Sequence, residues 1–268
     1  MIVTIDDVLD PRLNAFRWRE RQLTTIAQRK SALNEGLFIA EGDLVVHRAL
    51  EAGCVPDVVL CDPKCATEFS DAVHTAGGTT LVASADIRRE VTGLGVPLDA
   101  IGVFKRPPLV SSDDLIAQSS RLIVLDCVDN PSNVGSIART AAALGWDGLL
   151  LDSTSSDPLS RRALRVSMGT TFKLGFARFA STNEILAQLH HSGFATIGLT
   201  PHHESREVTN LRSIQIEGKR ALVLGSERQG LSDASLELCT QLANITMADG
   251  VDSLNVASAS AIACFALL

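Results

Sequence analysis

The chain alternates between short, almost wholly apolar runs and longer stretches in which apolar residues recur every three or four positions. In the first hundred residues, 43–52 carries apolar positions at helical intervals and stops at Gly53, and 58–61 is a short apolar run closed by Asp62-Pro63. Helical spacing returns over 67–76 until Gly77-Gly78, and short strands are expected at 80–83 and 100–104, so this part reads as a small α/β domain. From residue 122 the alternation is regular. Strands are predicted at 122–125, 148–151, 196–199, 221–224 and 244–247, and helices at 134–144, 160–168, 183–191, 234–239 and 256–267. Near-continuous apolar strands separated by helices imply an α/β domain with a parallel sheet covered on both faces. Pro107-Pro108, Ser111-Ser112-Asp113-Asp114 and Ser119-Ser120 read as a solvated connection, so the expected organisation is a domain over 1–106, a linker over 107–120 and a second domain over 121–268.

Composition narrows the class. A chain of 268 residues with 46% hydrophobic and 21% charged residues can bury a sizeable core and lies outside the disordered regime. No apolar run approaches the ~18–20 residues that span a bilayer, and Met1–Asp7 lacks the basic start and apolar core of a signal peptide, so a cytoplasmic location and no membrane partner are expected. Cys54, Cys61, Cys65, Cys127, Cys239 and Cys264 form no CxxC pair and have no histidine at zinc-finger spacing; they read as small buried hydrophobes. The neighbours in His190-His191 and His202-His203 diverge, so no metal is expected.

A net charge of −7 argues against indiscriminate polyanion binding. The average conceals a basic run: Arg12, Arg17, Arg19, Arg21, Arg29 and Lys30 stand against the single acid Glu20, and Arg161, Arg162 and Arg165 form a second cluster. With no tyrosine and 4% aromatic residues, any RNA partner would be held through phosphates and shape more than by stacking.

Three segments carry the candidate chemistry, each where an apolar strand gives way to a loop or helix, the usual place for ligands in parallel α/β sheets. In the first, Asn133 and Gly135 open a helix and Arg139 lies about one turn further on. In the second, Gly225 and Gly230 flank Glu227 directly after an apolar strand; two glycines around a carboxylate favour a ligand loop over a plain turn. In the third, Ser253-Leu254-Asn255 opens a helix rich in small residues, Ala257, Ser258, Ala259, Ser260, Ala261 and Ala263, which permit close approach of a neighbour. The second domain has no GxGxxG, which disfavours an ordinary dinucleotide fold.

In order and spacing these segments resemble the signature motifs of the SpoU/TrmH family of RNA ribose methyltransferases in the SPOUT superfamily: Asn-x-Gly-x-x-x-Arg at Asn133, Gly135 and Arg139, Gly-x-Glu-x-x-Gly-Leu-Ser at Gly225, Glu227, Gly230, Leu231 and Ser232, and Ser253-Leu254-Asn255-Val256. The likeness runs from Leu122 to the C-terminus. Phe38–Gly42 with the following helix is similar to the ribosomal-protein-like RNA-binding domain often placed ahead of this catalytic domain, and Arg165–Gly169 resembles a segment near the substrate.

The resemblance implies a C-terminal trefoil knot, an exception to the rule against threading. It also implies S-adenosylmethionine as cofactor, a homodimer through the C-terminal domain, and 2′-O-methylation of structured RNA, ribosomal RNA ahead of tRNA. A tRNA methyltransferase and a non-catalytic RNA-binding module that keeps the knot are the alternatives, and a small-molecule enzyme with a nucleotide site would leave the basic run unexplained. Carried over position by position, Arg139, Glu227, Ser253 and Asn255 are the catalytic candidates. Leu199, Thr200, Leu224, Gly225, Ser226, Glu227, Gly230, Ile245, Met247, Ser253 and Leu254 would hold the cofactor. Asn133, Arg139, Arg165, Arg17, Arg19, Arg21, Arg29 and Lys30 would meet RNA. A guanidinium is a poor general base, so Arg139 is expected first as a phosphate clamp and alkoxide stabiliser and second as a base, with Glu227 orienting Arg139 or a neighbouring donor. Ala257 departs from the serine of many relatives, with little effect expected while Ser253 and Asn255 remain.

Overall fold

The computed structural model describes residues 2–30 and 34–268, the side chain of Lys30 excepted. The chain forms two compact units, Met1–Leu109 with Leu159–Phe172, and Val110–Pro158 with Lys173–Leu268.

The first unit is built on a five-stranded sheet of β1 (Ile2–Ile5), β2 (Leu37–Glu41), β3 (Pro56–Cys61), β4 (Thr79–Ala83) and β5 (Ala100–Lys105) in the order β1-β4-β3-β5-β2. β1, β4 and β3 run parallel, while β5 is antiparallel to both β3 and β2. Alternate residues Ile39, Leu60, Leu81, Ile101 and Val103 pack with Leu13 and Phe16 on one face. The helices Asp43–Glu51 and Ala66–Thr75 fall within a residue or two of expectation.

The helix Arg161–Ser167 departs from the expected domain plan. It belongs to this first unit, where it packs on β2 and buries Ala163, Leu164 and Ser167. The cause is visible at its polar edge: Arg165 donates to Glu41 Oε2 at 2.8 Å, and Arg161 Nε lies 3.4 Å from Glu41 Oε1. Glu41 is 5% exposed and needs both cations.

The second unit carries seven strands: β6 (Arg121–Leu125), β7 (Gly148–Leu151), β8 (Gly175–Arg178), β9 (Ala195–Leu199), β10 (Val208–Asn210), β11 (Arg220–Leu224) and β12 (Gln241–Asn244). Their order is β10-β12-β9-β11-β6-β7-β8 and every pairing is parallel. Leu122, Val124 and Val223 point to one face with Ile185, Leu186 and Leu189, whereas Ile123, Leu125 and Leu222 point to the other with Val134, Ile137 and Cys264. Both faces are apolar, as the unbroken strand sequences required.

Two boundaries move. The expected linker contains the helix Ser112–Gln118: Ser111 Oγ accepts from Asp114 N at 3.0 Å, Asp113 and Asp114 occupy the first turn, and Leu115 and Ile116 are buried. The Ser/Asp cluster is thus a helix cap with favourable first-turn charge, not a solvated connection. The last strand is Gln241–Asn244, earlier than 244–247, because Leu242 and Ala243 supply the buried pair and the chain leaves the sheet after Asn244.

β9 is followed in sequence by β10 two places away, and β12 fills the slot between them later in the chain. The chain then turns back into the helix Val256–Ala266, which packs against the helix Pro131–Ala143. This insertion is consistent with the implied C-terminal trefoil knot. Among the described residues no helix is long and apolar enough to cross a membrane.

Candidate active site

Because β9, β11, β6 and β12 are parallel neighbours, their C-terminal ends open on one edge of the sheet. The loop after β11 is pinched shut at its base. Ser226 N donates to Gly230 O at 2.9 Å and Gly230 N to Ser226 O at 3.0 Å, while Gln229 N reaches Ser226 Oγ at 3.1 Å. The two glycines serve different needs. A Cβ on Gly225 would lie 2.1 Å from the carbonyl carbon of Gly230, so the crossing backbones exclude any side chain there. Gly230 has open space around it but φ of +72°, the left-handed region.

Glu227 sits at the tip of this loop. Its Oε1 accepts from Asn133 Nδ2 and, at 2.9 Å, from Asn255 Nδ2; Asn255 Nδ2 is also 3.2 Å from Asn133 Oδ1. One carboxylate oxygen therefore gathers all three sequence segments. Asn255 can do this while capping the helix Val256–Ala266, because its Oδ1 accepts from Ala257 N at 2.9 Å and from Ser258 N at 3.4 Å, leaving its amide to donate. A serine or aspartate cap would lack that NH₂ donor.

Beside the loop lies a cavity of about 570 Å³. Every one of the eleven residues expected to hold a cofactor lines it. Leu199 and Thr200 come from the end of β9, and Leu224, Gly225, Ser226, Glu227 and Gly230 from β11 and its loop. Ile245, Met247, Ser253 and Leu254 follow β12. Its size suits a nucleoside-sized ligand, its apolar lining suits a flat ring, and the strand ends supply backbone polar groups. The same wall includes Leu231 and Val256, which belong to the motifs, and Pro201, His202, Arg228, Gln229, Leu236 and Ala259, none of which was expected to hold the cofactor. Most flank motif residues directly; Leu236 is reached by the helix Asp233–Leu238 and Ala259 lies one turn past Asn255, so only their neighbourhood in space marks them.

Of the catalytic candidates, Glu227, Ser253 and Asn255 line the cavity and Arg139 does not. Arg139 is exposed on the helix Pro131–Ala143, and the bonds to Glu227 come from the two asparagines, so of the two expected partners, Arg139 or a neighbouring donor, the carboxylate engages neighbouring donors. Asn133, expected to meet RNA, is 6% exposed and engaged with Glu227.

In the first unit Arg17, Arg19 and Arg21 are exposed, with Arg17 donating to Val8 O, and Arg29 is half-buried. The Lys30 side chain lies outside the described residues. Arg165 is tied to Glu41, whose carboxyl is pushed above the usual range by burial against the opposing pull of Arg161 and Arg165.

The chain belongs to the SpoU rRNA methylase family, whose model matches residues 120–265. It is 34% identical over 257 residues to an uncharacterized tRNA/rRNA methyltransferase of Mycobacterium bovis, a match covering 96% of this chain and 88% of that protein. Its fold is similar to that of an AdoMet-bound rRNA methyltransferase from Sinorhizobium meliloti, with a TM-score of 0.83, 24% identity and coverage of 99% of this chain and 97% of that one. A SpoU methyltransferase from Streptomyces viridochromogenes, in complex with AdoMet, superposes with a TM-score of 0.77 at 24% identity over 96% of each chain.

Proposed function

We propose that this protein transfers a methyl group from S-adenosylmethionine to a ribose 2′-hydroxyl of structured RNA, with ribosomal RNA as the favoured substrate, and that it works as a homodimer through its C-terminal unit. The observation that carries this reading is the convergence of Asn133, Glu227 and Asn255 at the mouth of a nucleoside-sized cavity. Leu199, Leu224, Ile245, Met247 and Leu254 offer apolar walls for an adenine ring. When bound, the cofactor supplies an electrophilic methyl on a sulfonium.

The chain's own residues have three tasks. Glu227, held by two amides, fixes the helix starts that carry Asn133 and Asn255, so the cavity mouth is preorganised before RNA arrives. Ser253 presents a hydroxyl where the target ribose would enter, beside Asn255, whose amide is committed to Glu227, Asn133 and the helix cap. Arg139, exposed on the helix that carries Asn133, is suited to hold the neighbouring phosphate and to stabilise charge developing on the 2′-oxygen. A protonated guanidinium cannot itself accept the hydroxyl proton, which leaves to water as the new O–C bond forms and the S–C bond breaks.

Exposed Arg17, Arg19 and Arg21 support an RNA contact in the first unit. The dimer reading is supported by the outer face of the C-terminal helix, where Phe265 is 69% exposed beside Ile262 and Leu268. Ribose-methylation mapping of total ribosomal and transfer RNA, with and without this protein, tests the substrate. Loss of one ribosomal site supports the reading, whereas loss of a tRNA site transfers it to tRNA. Unchanged maps together with no S-adenosylmethionine binding by calorimetry would leave a non-catalytic RNA-binding module. Light scattering in solution reads the dimer.

A further inference from the structure

We propose that Asp126 is a positioning residue that sets the height of the Glu227 loop against the helix carrying Asn133 and Arg139, a role that rests on the methyltransferase reading above. Asp126 immediately follows β6 and is 2% exposed. Its backbone N–H donates to Leu224 O at 2.8 Å, where the loop begins. Its Oδ2 accepts from Ser232 N at 2.9 Å and from Ser235 Oγ at 2.6 Å, where the loop ends. Both feet of residues 225–231 therefore stand on one residue of the neighbouring strand.

The chain beyond Asp126 is equally constrained. Cys127 adopts φ of +62° and donates its N–H to Asp152 Oδ1 at 3.0 Å, and Val128 N reaches Ser155 Oγ at 2.9 Å. Asn130 then caps the helix Pro131–Ala143, its side chain accepting from Ser132 N at 2.9 Å. Asp126 is thus the junction of two paths, one through the loop to Glu227 and one through its own chain to Asn133, and the Glu227–Asn133 bond closes the circuit. A carboxylate suits the task because one oxygen accepts an N–H and an O–H together. Asp126 does not line the cavity, so its influence passes through the loop.

The test uses the full chain and two separate readouts. Hydrogen exchange at the Ser226 and Gly230 amides reports loop placement without any cofactor, and calorimetry with S-adenosylmethionine plus kcat on RNA reports function. Asp126→Ala is expected to accelerate exchange at those two amides selectively and to weaken cofactor binding by about tenfold or more, the scale of a lost charge-assisted bond. Asp126→Asn, which keeps an acceptor oxygen, restores most of the loss, and Ser235→Ala falls between. Combined with Glu227→Gln, Asp126→Ala loses less than the product of the two separate losses, because the second change acts on a loop already displaced. Wild-type exchange and affinity in Asp126→Ala, or strictly multiplicative losses, overturn the proposal. If Asp126→Ala does not fold, wild-type exchange in Ser235→Ala, which removes one of the two donors to Asp126, overturns it. A wild-type chain that binds no S-adenosylmethionine while Asp126 variants still loosen the loop refutes the methyltransferase reading and leaves the positioning role standing.

Discussion

Replacing Gly225 by alanine tests the loop most sharply. The added Cβ would meet three backbone atoms, Gly230 C at 2.1 Å, Gly230 O at 2.2 Å and Leu231 N at 2.3 Å. None is the movable end of a side chain, so rotamer changes give no relief. The loop must instead separate at its base, which breaks the two Ser226–Gly230 bonds of 2.9 and 3.0 Å. At about 1 kcal/mol for each net backbone bond, the closed loop becomes less favourable by roughly 2 kcal/mol, which is about a 30-fold fall in its population. Cofactor affinity, measured by calorimetry, should drop by a similar factor, because Gly225, Ser226, Glu227 and Gly230 all line the cavity. The thermal midpoint should fall modestly, since the apolar faces of the sheet are untouched. Gly230→Ala is the control: it meets no atom but must adopt φ of +72°, a strain of about 1–2 kcal/mol, and should weaken binding less. A Gly225→Ala protein that binds S-adenosylmethionine within twofold of wild type would show that the closed loop tolerates a side chain at the crossing and is not needed for the cofactor.

Arg139→Ala should abolish methylation while calorimetric cofactor binding survives, and a comparison of pH–rate profiles between wild type and Arg139→Lys separates a clamp from a base. Glu227→Gln keeps an acceptor for both asparagines but loses charge assistance, so its kcat should fall by roughly tenfold, and that of Glu227→Ala by more. The Glu41 carboxyl is raised by burial, so the folded state holds that proton more tightly than the unfolded chain. Its contribution to stability is present below the ordinary glutamate range and fades as pH rises through the raised value. Urea denaturation across that interval should show the slope in wild type and not in Glu41→Gln. The thiols of Cys61, Cys239 and Cys264 are pushed up to about 12 by burial, and that of Cys54 to about 11. At pH 8, mass-spectrometric mapping should find alkylation at exposed Cys127 and half-buried Cys65 before any of these four.

Local pattern alone determined the strands at the centre of the second unit, the helices between them and the three ligand-edge segments, because a strand buried on both faces has to be apolar throughout and a backbone crossing such as Gly225 over Gly230 has to be glycine. Weaker strands carry no such mark: β8 and β10 are short, partly exposed edge strands whose place in the sheet comes from their neighbours. The return of Arg161–Ser167 to the first unit was also hidden, since its buried face is the same whichever sheet it covers, and Glu41 lies more than a hundred residues away in sequence. At the site, residue types were legible and partnerships were not. Glu227 was open to Arg139 or a neighbouring donor; three-dimensional proximity selected Asn133 and Asn255, and placed Asp126 beneath both ends of its loop. Hydrogen-bond partners are settled by distances of a few ångströms between segments far apart in the chain, and those distances exist only once the parallel sheet has brought the strand ends together.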